Sequence, residues 1–173
     1  ETGFRRWQET RARPVEICVE DVRTEEGKKG AVGSLNLWIE QKHITEDLLV
    51  IAGDNYFEFD LLQFMASYDG KNTLVAIYDI SDKSKAGQFG VVRVEEHRII
   101  ELEEKPVRPR SSLIATACYI FPPRIFPWLS RYCAAGERDN LGNLITYLVD
   151  TDEVHAYTFT EQWLDIGSIK NLA

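Results

Sequence analysis

Short apolar runs alternate with segments of helical periodicity along this chain, and that alternation limits the possible folds more than any other feature. Apolar runs typical of strands occupy residues 13–22, 47–54, 72–80, 113–123 and 153–167. Helical spacing of apolar residues marks the segments 31–41, 60–68, 124–132 and 143–150. Residues 87–106 contain two alternating runs that meet near Glu96 and His97, which predicts a hairpin. The pattern therefore predicts an α/β sheet of mixed strand direction, with helices on both faces.

The composition narrows the classes of function. The chain has 173 residues, 44% of them hydrophobic, and no linker or repeat divides it, so residues 1–173 are predicted to form a single domain. The formal net charge of -8 argues against nucleic acid or an anionic membrane as a partner. Cys18, Cys118 and Cys133 have neither disulfide nor zinc spacing, and no apolar run reaches the ~20 residues of a membrane span. We therefore expect a cytoplasmic protein with reduced cysteines.

The apolar run 47–54 ends abruptly in Gly53 and Asp54. Its nearly continuous apolar character is typical of a strand that is buried on both faces, as in a parallel sheet. In open α/β sheets, ligands bind beyond the carboxyl ends of the strands, so a carboxylate at this strand end would face the ligand. Aspartate is also a common turn residue, and a purely structural role for Asp54 stays open as an equal interpretation.

A second predicted strand also ends in a carboxylate. This strand contains Trp163 and ends in Asp165, and Gly167 follows two residues later. Two strand-end carboxylates in one crevice would suit Mg²⁺, which proteins usually hold through one or two carboxylates plus substrate phosphates. The competing interpretation is a turn at Asp165, with Trp163 packed in the core.

Two other segments offer ligand-binding groups. Residues 101–110 place Glu104 and Lys105 at a strand end, where the lysine could bind a phosphate and the glutamate could accept hydroxyl hydrogen bonds. A solvated run of charges is the alternative. Residues 27–34 form a glycine-rich loop before a helix, whose N–H groups could bind an anion or a base edge. The loop does not have the order of a P-loop, and the alternative is a flexible loop tip.

Five segments, in this order, resemble the sugar-1-phosphate nucleotidylyltransferase family. They are KGAVGSL (29–35), LLVIAGDNYFEFDL (48–61), the hairpin 89–106 with its closing EEKP, IATACYIF (114–121) and WLDIGS (163–168). Each segment alone is a weak signal, whereas the ordered set is specific. Residues 139–167 further resemble the glucose-1-phosphate thymidylyltransferase-like branch. The resemblance implies a Rossmann-like α/β fold, with a mixed, mostly parallel sheet and helices on both faces.

This resemblance implies roles for seven residues. Asp54 and Asp165 correspond to the two catalytic aspartates that hold Mg²⁺. Glu104 and Lys105 correspond to the pair that contacts the sugar and its phosphate, and Lys105 is also expected to act in catalysis. The other substrate-binding positions are Gly90 and Thr116 beside the sugar and Gly30 near the nucleobase.

Two departures from the family pattern stand out. Ala117 replaces the glycine that follows the sugar-side threonine, and its methyl group would narrow the pocket. The family's first strand and its triphosphate-binding loop, of the type G-x-G-T-R-L-x-P-L-T, have no counterpart here. The resemblance thus implies an N-terminally truncated domain that lacks roughly fifty residues. We therefore expect an unpaired edge at the strand 47–54 and little or no turnover by this chain alone.

The function implied by the resemblance is transfer of a nucleotidyl group from a nucleoside triphosphate to a sugar-1-phosphate. Glucose-1-phosphate with dTTP or UTP are the expected substrates, and the family suggests a homo-oligomer. One alternative is a non-catalytic regulatory module that binds a sugar nucleotide, although the retained aspartates speak against it. Another is a metal-dependent glycosyltransferase, which usually has Asp-x-Asp where this chain has Asp54-Asn55-Tyr56.

Overall fold

A six-stranded sheet lies at the centre of the computed structural model, which describes residues 15–18 and 28–167. The strands of this chain are β1 (Leu48–Ile51), β2 (Asn55–Phe57), β3 (Thr73–Asp79), β4 (Gly90–Glu95), β5 (Arg98–Glu104), β6 (Leu113–Phe121), β7 (Val154–Phe159) and β8 (Trp163–Asp165). The helices are α1 (Gly30–Lys42), α2 (Leu61–Ala66), α3 (Lys83–Ala86), α4 (Phe126–Ala134) and α5 (Leu141–Thr151). The large sheet has the order β1-β6-β3-β7-β5-β4, and β2 pairs with β8 in a separate two-stranded sheet.

The predicted mixed α/β fold is confirmed, but the sheet is not mostly parallel in the part of the chain described. Only β3 and β7 pair in parallel there, whereas β6 runs antiparallel to β1, β3 and β4. The β4–β5 hairpin turns at Glu96 and His97, as predicted, and β5 joins β7 in antiparallel direction. A continuous apolar run indicates that both faces of a strand are buried, but it does not indicate the direction of the neighbouring strand. The expectation of a mostly parallel sheet failed for this reason.

Strand β1 lies at the edge of the large sheet and not in its buried centre. It pairs antiparallel with β6, with Leu48 opposite Phe121 and Ile51 opposite Cys118. Leu48, Leu49 and Val50 are half-buried, while Ile51 is exposed. The prediction that this run is a parallel strand buried on both faces is therefore wrong, although its position as a strand is correct.

Helices cover both faces of the sheet, and each face has its own hydrophobic core. One core joins α1, α4 and α5 to the sheet through residues such as Ile39, Leu129 and Leu148. The other packs α2 and α3 with the small β2–β8 sheet, around Phe64 and Trp163. Burial of these side chains is the main favourable contribution to folding, and the two cores hold the sheet between them.

Local sequence signals explain where several helices begin. The Asp60 carboxylate accepts the Leu62 N–H at 2.8 Å and thereby caps α2, as the sequence predicts. Pro127 lies in the first turn of α4, where the missing N–H costs nothing. Strand β6 ends immediately before Pro122. The predicted closing strand 153–167 is divided into β7 and β8, which belong to different sheets.

The predicted first strand, 13–22, lies mostly outside the described residues. Residues 15–18 are described, and they have no regular secondary structure. Cys18 is exposed, whereas Cys118 and Cys133 are buried, and all three are free thiols. Burial raises the pKa of Cys118 to about 12, so this thiol stays protonated and unreactive. No helix within the described ranges is long and apolar enough to span a membrane.

Candidate functional site

A cavity of about 290 Å³ opens where several strands of both sheets end. Its wall contains six of the seven residues that the sequence predicts for the site: Asp54, Gly90, Glu104, Lys105, Thr116 and Asp165. Further polar groups come from Asn55, Gln88 and Asn140, and apolar surface from Phe89, Tyr119 and Trp163. Apolar and aromatic side chains combined with a few polar groups are the usual lining of a small-molecule site.

Pairing of β2 with β8 brings Asp54 and Asp165 together. Asn55 is the register partner of Asp165, and the Ile166 N–H donates to the Asp54 carbonyl at 2.8 Å. A Cβ at Gly167 would lie 3.0 Å from the Asp54 Oδ2 and also 3.0 Å from the Asp165 Oδ1. The two carboxylates therefore border one small space, which the missing side chain of Gly167 leaves open.

Neighbouring side chains orient both carboxylates. The Trp163 indole N–H donates to the Asn55 Oδ1 at 2.8 Å, and the Asn55 Nδ2 donates to the Asp54 Oδ1 at 3.0 Å. On the other side, the Gly167 N–H donates to the Asp165 Oδ1 at 2.8 Å. Trp163 is 8% exposed, so this chain of hydrogen bonds connects the Asp54 carboxylate to the hydrophobic core. Each carboxylate keeps an oxygen without one of these contacts.

The N-terminus of α5 holds Glu104. The Asn140 side chain caps this helix by accepting the Gly142 N–H at 2.6 Å, and its Nδ2 donates to the Glu104 Oε1 at 2.8 Å. A Cβ at Gly142 would overlap the Glu104 Oε2, and one at Gly90 would lie 3.0 Å from that oxygen. The Glu104 carboxylate thus lies between two glycines, which give it room.

Lys105 follows Glu104 at the end of β5 with its backbone in the left-handed region, at a φ of 47°. Its N–H donates to the Phe89 carbonyl at 3.0 Å, which fixes the strand end across the hairpin. The Lys105 Nζ lies 3.9 Å from the Glu104 Oε1, and the lysine side chain is 63% exposed. An exposed cation therefore adjoins a well-held carboxylate in the lining of the cavity.

A bulge in β6 forms the floor of the cavity. Val75 pairs with Tyr119 and Ile77 with Ala115, so Thr116–Cys118 face a shorter stretch of β3. The Thr116 hydroxyl donates to the Ala76 carbonyl at 2.9 Å, which satisfies a backbone group next to the bulge. Thr116 lines the cavity, but its hydroxyl hydrogen is already used within the protein.

Ala117 occupies a backbone conformation that favours glycine, with a φ of 54°. We therefore expect Ala117→Gly to raise the free energy of unfolding by about 1 kcal/mol, because it removes the steric cost of a Cβ there. Urea unfolding monitored by circular dichroism measures the change. Ala115→Gly, on the same strand outside the left-handed region, should instead lower stability by about 1 kcal/mol. Equal losses in both variants would contradict the explanation.

Gly30 is the predicted site residue that does not line the cavity. It begins α1 at a φ of 69°, against the backbone of Arg138 and Asp139. The N–H groups of Ala31–Gly33 donate to the carbonyl oxygens of Arg138 and Asp139 at 2.9–3.2 Å. The prediction that the first N–H groups of this helix are free for a ligand is therefore wrong, because a distant segment of the chain caps them.

Sequence reasoning missed four residues that organise the site: Asn55, Asn140, Gly142 and Trp163. The sequence does indicate that Asn140 begins a helix that includes Gly142, because an asparagine before an apolar helical segment is a typical N-cap. The contact of Asn140 with Glu104 joins residues 36 positions apart, and no local pattern indicates it. The same is true of Trp163 and Asn55, which are 108 positions apart.

Comparison with known proteins places this chain in a family. A sequence profile described as nucleotidyl transferase matches residues 3–173. A Bacillus anthracis protein assigned as a glucose-1-phosphate thymidylyltransferase, solved in complex with a sucrose, superimposes with a TM-score of 0.73 at 24% identity. A UDP-glucose pyrophosphorylase in complex with UDP-glucose gives a TM-score of 0.69 at 24% identity. A UDP-glucose pyrophosphorylase from Acinetobacter baumannii gives 0.68 at 21% identity.

These structures resemble the chain over most of its length but are longer than it. The aligned regions cover 87%, 83% and 83% of this chain, but only 61%, 59% and 54% of the respective solved proteins. At these identities, the structural similarity establishes the fold, and the profile match over nearly the whole chain establishes the family. This chain belongs to the nucleotidyl transferase family.

Proposed function

We propose that the cavity binds a sugar-1-phosphate and the α-phosphate of a nucleoside triphosphate, and that the protein containing this chain transfers a nucleotidyl group between them. The observation that supports this most is the convergence of Asp54 and Asp165 on the space beside Gly167. Glu104 and Lys105 line the same cavity. An acceptor for hydroxyl groups and a cation for phosphate thus accompany the two carboxylates, as a phosphorylated sugar requires.

The two aspartates fit Mg²⁺. This ion takes oxygen ligands and is usually held by one or two carboxylates together with substrate phosphates and water. The gap that a Cβ at Gly167 would fill adjoins an oxygen of each aspartate, and Lys105 is the one lysine or arginine among the described residues that line the cavity. When bound there, Mg²⁺ would neutralise the charge that develops on the phosphoryl oxygens.

Positioning and electrostatics would supply most of the catalysis. Glu104, held by Asn140, would accept hydrogen bonds from sugar hydroxyls and so orient the sugar. Lys105 would bind the sugar phosphate and bring its oxygen in line with the α-phosphorus. A bond then forms between that oxygen and the α-phosphorus, the bond from the α-phosphorus to the bridging oxygen breaks, and pyrophosphate leaves. No covalent intermediate with the protein is required.

Glucose-1-phosphate with dTTP or UTP is the substrate pair that we propose. The similar solved proteins are named glucose-1-phosphate thymidylyltransferase and UDP-glucose pyrophosphorylase, and these names refer to a glucose phosphate and to thymidine or uridine nucleotides. Phe89, Tyr119 and Trp163 give the cavity apolar surface in addition to its polar groups, which suits a sugar ring with its apolar faces and hydroxyl edges.

A pyrophosphate-release assay tests the proposal. It should use this chain and the longest natural polypeptide that contains it, with Mg²⁺ and each triphosphate, in the presence and absence of glucose-1-phosphate. We expect the longest polypeptide to release pyrophosphate only when both substrates are present and to stop when Mg²⁺ is chelated, and we expect little or no turnover by this chain alone. Tight binding of UDP-glucose or dTDP-glucose without turnover by the longest polypeptide would overturn the proposal and indicate a regulatory binding module instead.

Gly142→Ala provides a more specific test of the sugar site. The new methyl group would overlap the Glu104 Oε2 and push this carboxylate away from Asn140. Hydrogen bonds to a charged group contribute about 1.5–3 kcal/mol, so we expect KM for the sugar-1-phosphate to rise roughly 10- to 100-fold. Initial rates at varied sugar-1-phosphate measure the change.

The matched control for this variant is Asn143→Ala, an exposed position in the same turn of α5. It should leave KM for the sugar-1-phosphate unchanged. Stability separates a local effect from unfolding, because alanine is the better helix former and Gly142→Ala should not lower Tm by more than a few degrees. An unchanged KM in Gly142→Ala would contradict the role given to Glu104.

A further inference from the structure

A second cluster of potential metal ligands lies at the opposite end of β5 and β7 from the cavity. His97, Glu153 and His155 each offer one ligand atom, and these atoms all lie within 4.8 Å of one another. The His155 Nε2 and the Glu153 Oε1 are 2.8 Å apart, and the two imidazole rings meet edge to face with centroids at 4.7 Å. The seven residues of β5, at about 3.3 Å each, separate the cluster from Glu104 by roughly 20 Å.

Asp69 gives His155 a fixed orientation. The Asp69 Oδ2 lies 3.5 Å from the His155 Nδ1, on the ring edge opposite Glu153. Asp69 itself accepts the N–H groups of Lys71 and Asn72 and the side-chain amide of Asn72, at 2.7–2.8 Å. Metal-binding histidines commonly donate their other ring N–H to a carboxylate in this way. The Nε2 atom is the one directed at Glu153.

Backbone contacts hold the hairpin tip close to β7. Arg98 pairs with His155 in the sheet, and the Ala156 N–H donates to the His97 carbonyl at 2.7 Å. A cavity of about 360 Å³ beside the cluster is lined by His97 and Glu153 among others, which gives an ion access and room for water. His155 is half-buried, whereas His97 is exposed and the Glu153 side chain is 44% exposed. The side chains of His97 and Glu153 can therefore adjust their positions to that of His155.

The nature of the ligands selects the type of ion. Two imidazoles and one carboxylate suit zinc and similar transition ions, whereas magnesium prefers oxygen ligands alone. Zinc bound at 2.0–2.2 Å would need ligand atoms about 3.3 Å apart, whereas those of the cluster lie within 4.8 Å of one another, so the widest gap must close by up to about 1.5 Å. The Glu153 Oε1 and the His155 Nε2 are already 2.8 Å apart, so the movement falls on His97, whose exposed side chain can rotate. Arg98 lines the neighbouring cavity, and its charge would weaken but not prevent binding.

We propose that His97, Glu153 and His155 form a binding site for a zinc-type divalent ion, with water in the remaining position. Asp69 would orient His155 within it. The ion would join the tip of the β4–β5 hairpin to the start of β7. This site is separate from the carboxylate pair at Asp54 and Asp165 and does not depend on the function proposed for that pair.

Zinc titration against a chromophoric chelator tests this site. The protein should carry no affinity tag and should have Cys18 replaced by serine, which removes the exposed thiol. We expect one zinc ion per chain, a higher Tm in its presence, and visible absorption on loading with Co²⁺. His97→Ala and His155→Ala should each weaken zinc binding by at least about 10-fold. Removal of a residue that only orients a metal ligand already weakens binding by about this factor, and each of these variants loses a ligand itself. The double variant should lose binding.

The third histidine supplies the control. His43 is exposed at the end of α1 in the left-handed region, which asparagine tolerates, so His43→Asn should bind zinc as the parent does. Glu153→Gln tests the carboxylate without a change of shape. Thermal melting without metal verifies that each variant folds. Zinc binding in the double variant equal to that of the parent, or no binding by the parent, would overturn the proposal.

Discussion

Replacing Asp54 or Asp165 by asparagine is expected to lower kcat for nucleotidyl transfer by about three orders of magnitude. Each substitution keeps the shape of the side chain but removes one of the two negative charges that border the space beside Gly167. The remaining charge would hold Mg²⁺ weakly, so the Mg²⁺ concentration required for half-maximal rate should rise in both variants. Steady-state pyrophosphate release at varied Mg²⁺ measures both effects.

Asp79→Asn is the matched control, because Asp79 also lies at a strand end but outside the cavity. The Asp79 carboxylate accepts the Ser81 N–H at 2.8 Å, a contact that asparagine can keep. Its kcat and its Mg²⁺ requirement should match those of the wild type. Wild-type turnover by Asp54→Asn and Asp165→Asn at ordinary Mg²⁺ would remove the basis for a metal-dependent transferase.

The largest effect on stability is expected from Gly30→Ala. A Cβ at this position would overlap the Arg138 carbonyl oxygen and lie 2.6 Å from the Asp139 Cα, both backbone atoms that cannot rotate away. The left-handed φ of 69° adds a further cost for any side chain. Together these effects should lower the free energy of unfolding by about 3 kcal/mol. A loss of this size corresponds to a decrease in Tm of roughly 6–12 °C for a chain of this length.

Differential scanning calorimetry measures the Gly30 effect, with Gly53→Ala as its control. A Cβ at Gly53 would meet nothing within 4 Å, so that variant should stay within about 1 kcal/mol of the wild type. Similar Tm values for Gly30→Ala and Gly53→Ala would show that the contact of α1 with Arg138 and Asp139 does not form in solution.

The positions of the elements could be predicted from the sequence, but the directions of the strands could not. The sequence identifies β3, the β4–β5 hairpin and β6 nearly to the residue, because β3 is a continuous apolar run, the hairpin strands alternate, and prolines follow β6. Strand direction depends on which distant segment lies beside each strand. The run at Leu48–Ile51 shows this, because its apolar residues suit a buried parallel strand equally well and yet pair antiparallel at an edge.

The candidate site follows the same division. The sequence places Asp54 and Asp165 each at a strand end, but it does not show that the two strand ends meet, which depends on the pairing of β2 with β8. Gly30 could not be placed correctly, since the groups that cap its helix come from Arg138 and Asp139, more than a hundred residues later in the chain. The unusual backbone at Ala117 could be predicted in part. The resemblance expects glycine at this position, and the left-handed backbone there explains why glycine is favoured.

The short connection before α5 links two distant parts of the molecule. The carbonyl groups of Arg138 and Asp139 complete the first turn of α1, and the adjoining Asn140 supports the Glu104 carboxylate. A sugar bound to Glu104 would pull on the carboxylate that Asn140 holds, and a shift of Asn140 would move the two carbonyls on which α1 begins. Occupancy of the sugar site should therefore alter the rate at which the Ala31–Gly33 amides exchange with deuterium, although none of them touches the sugar.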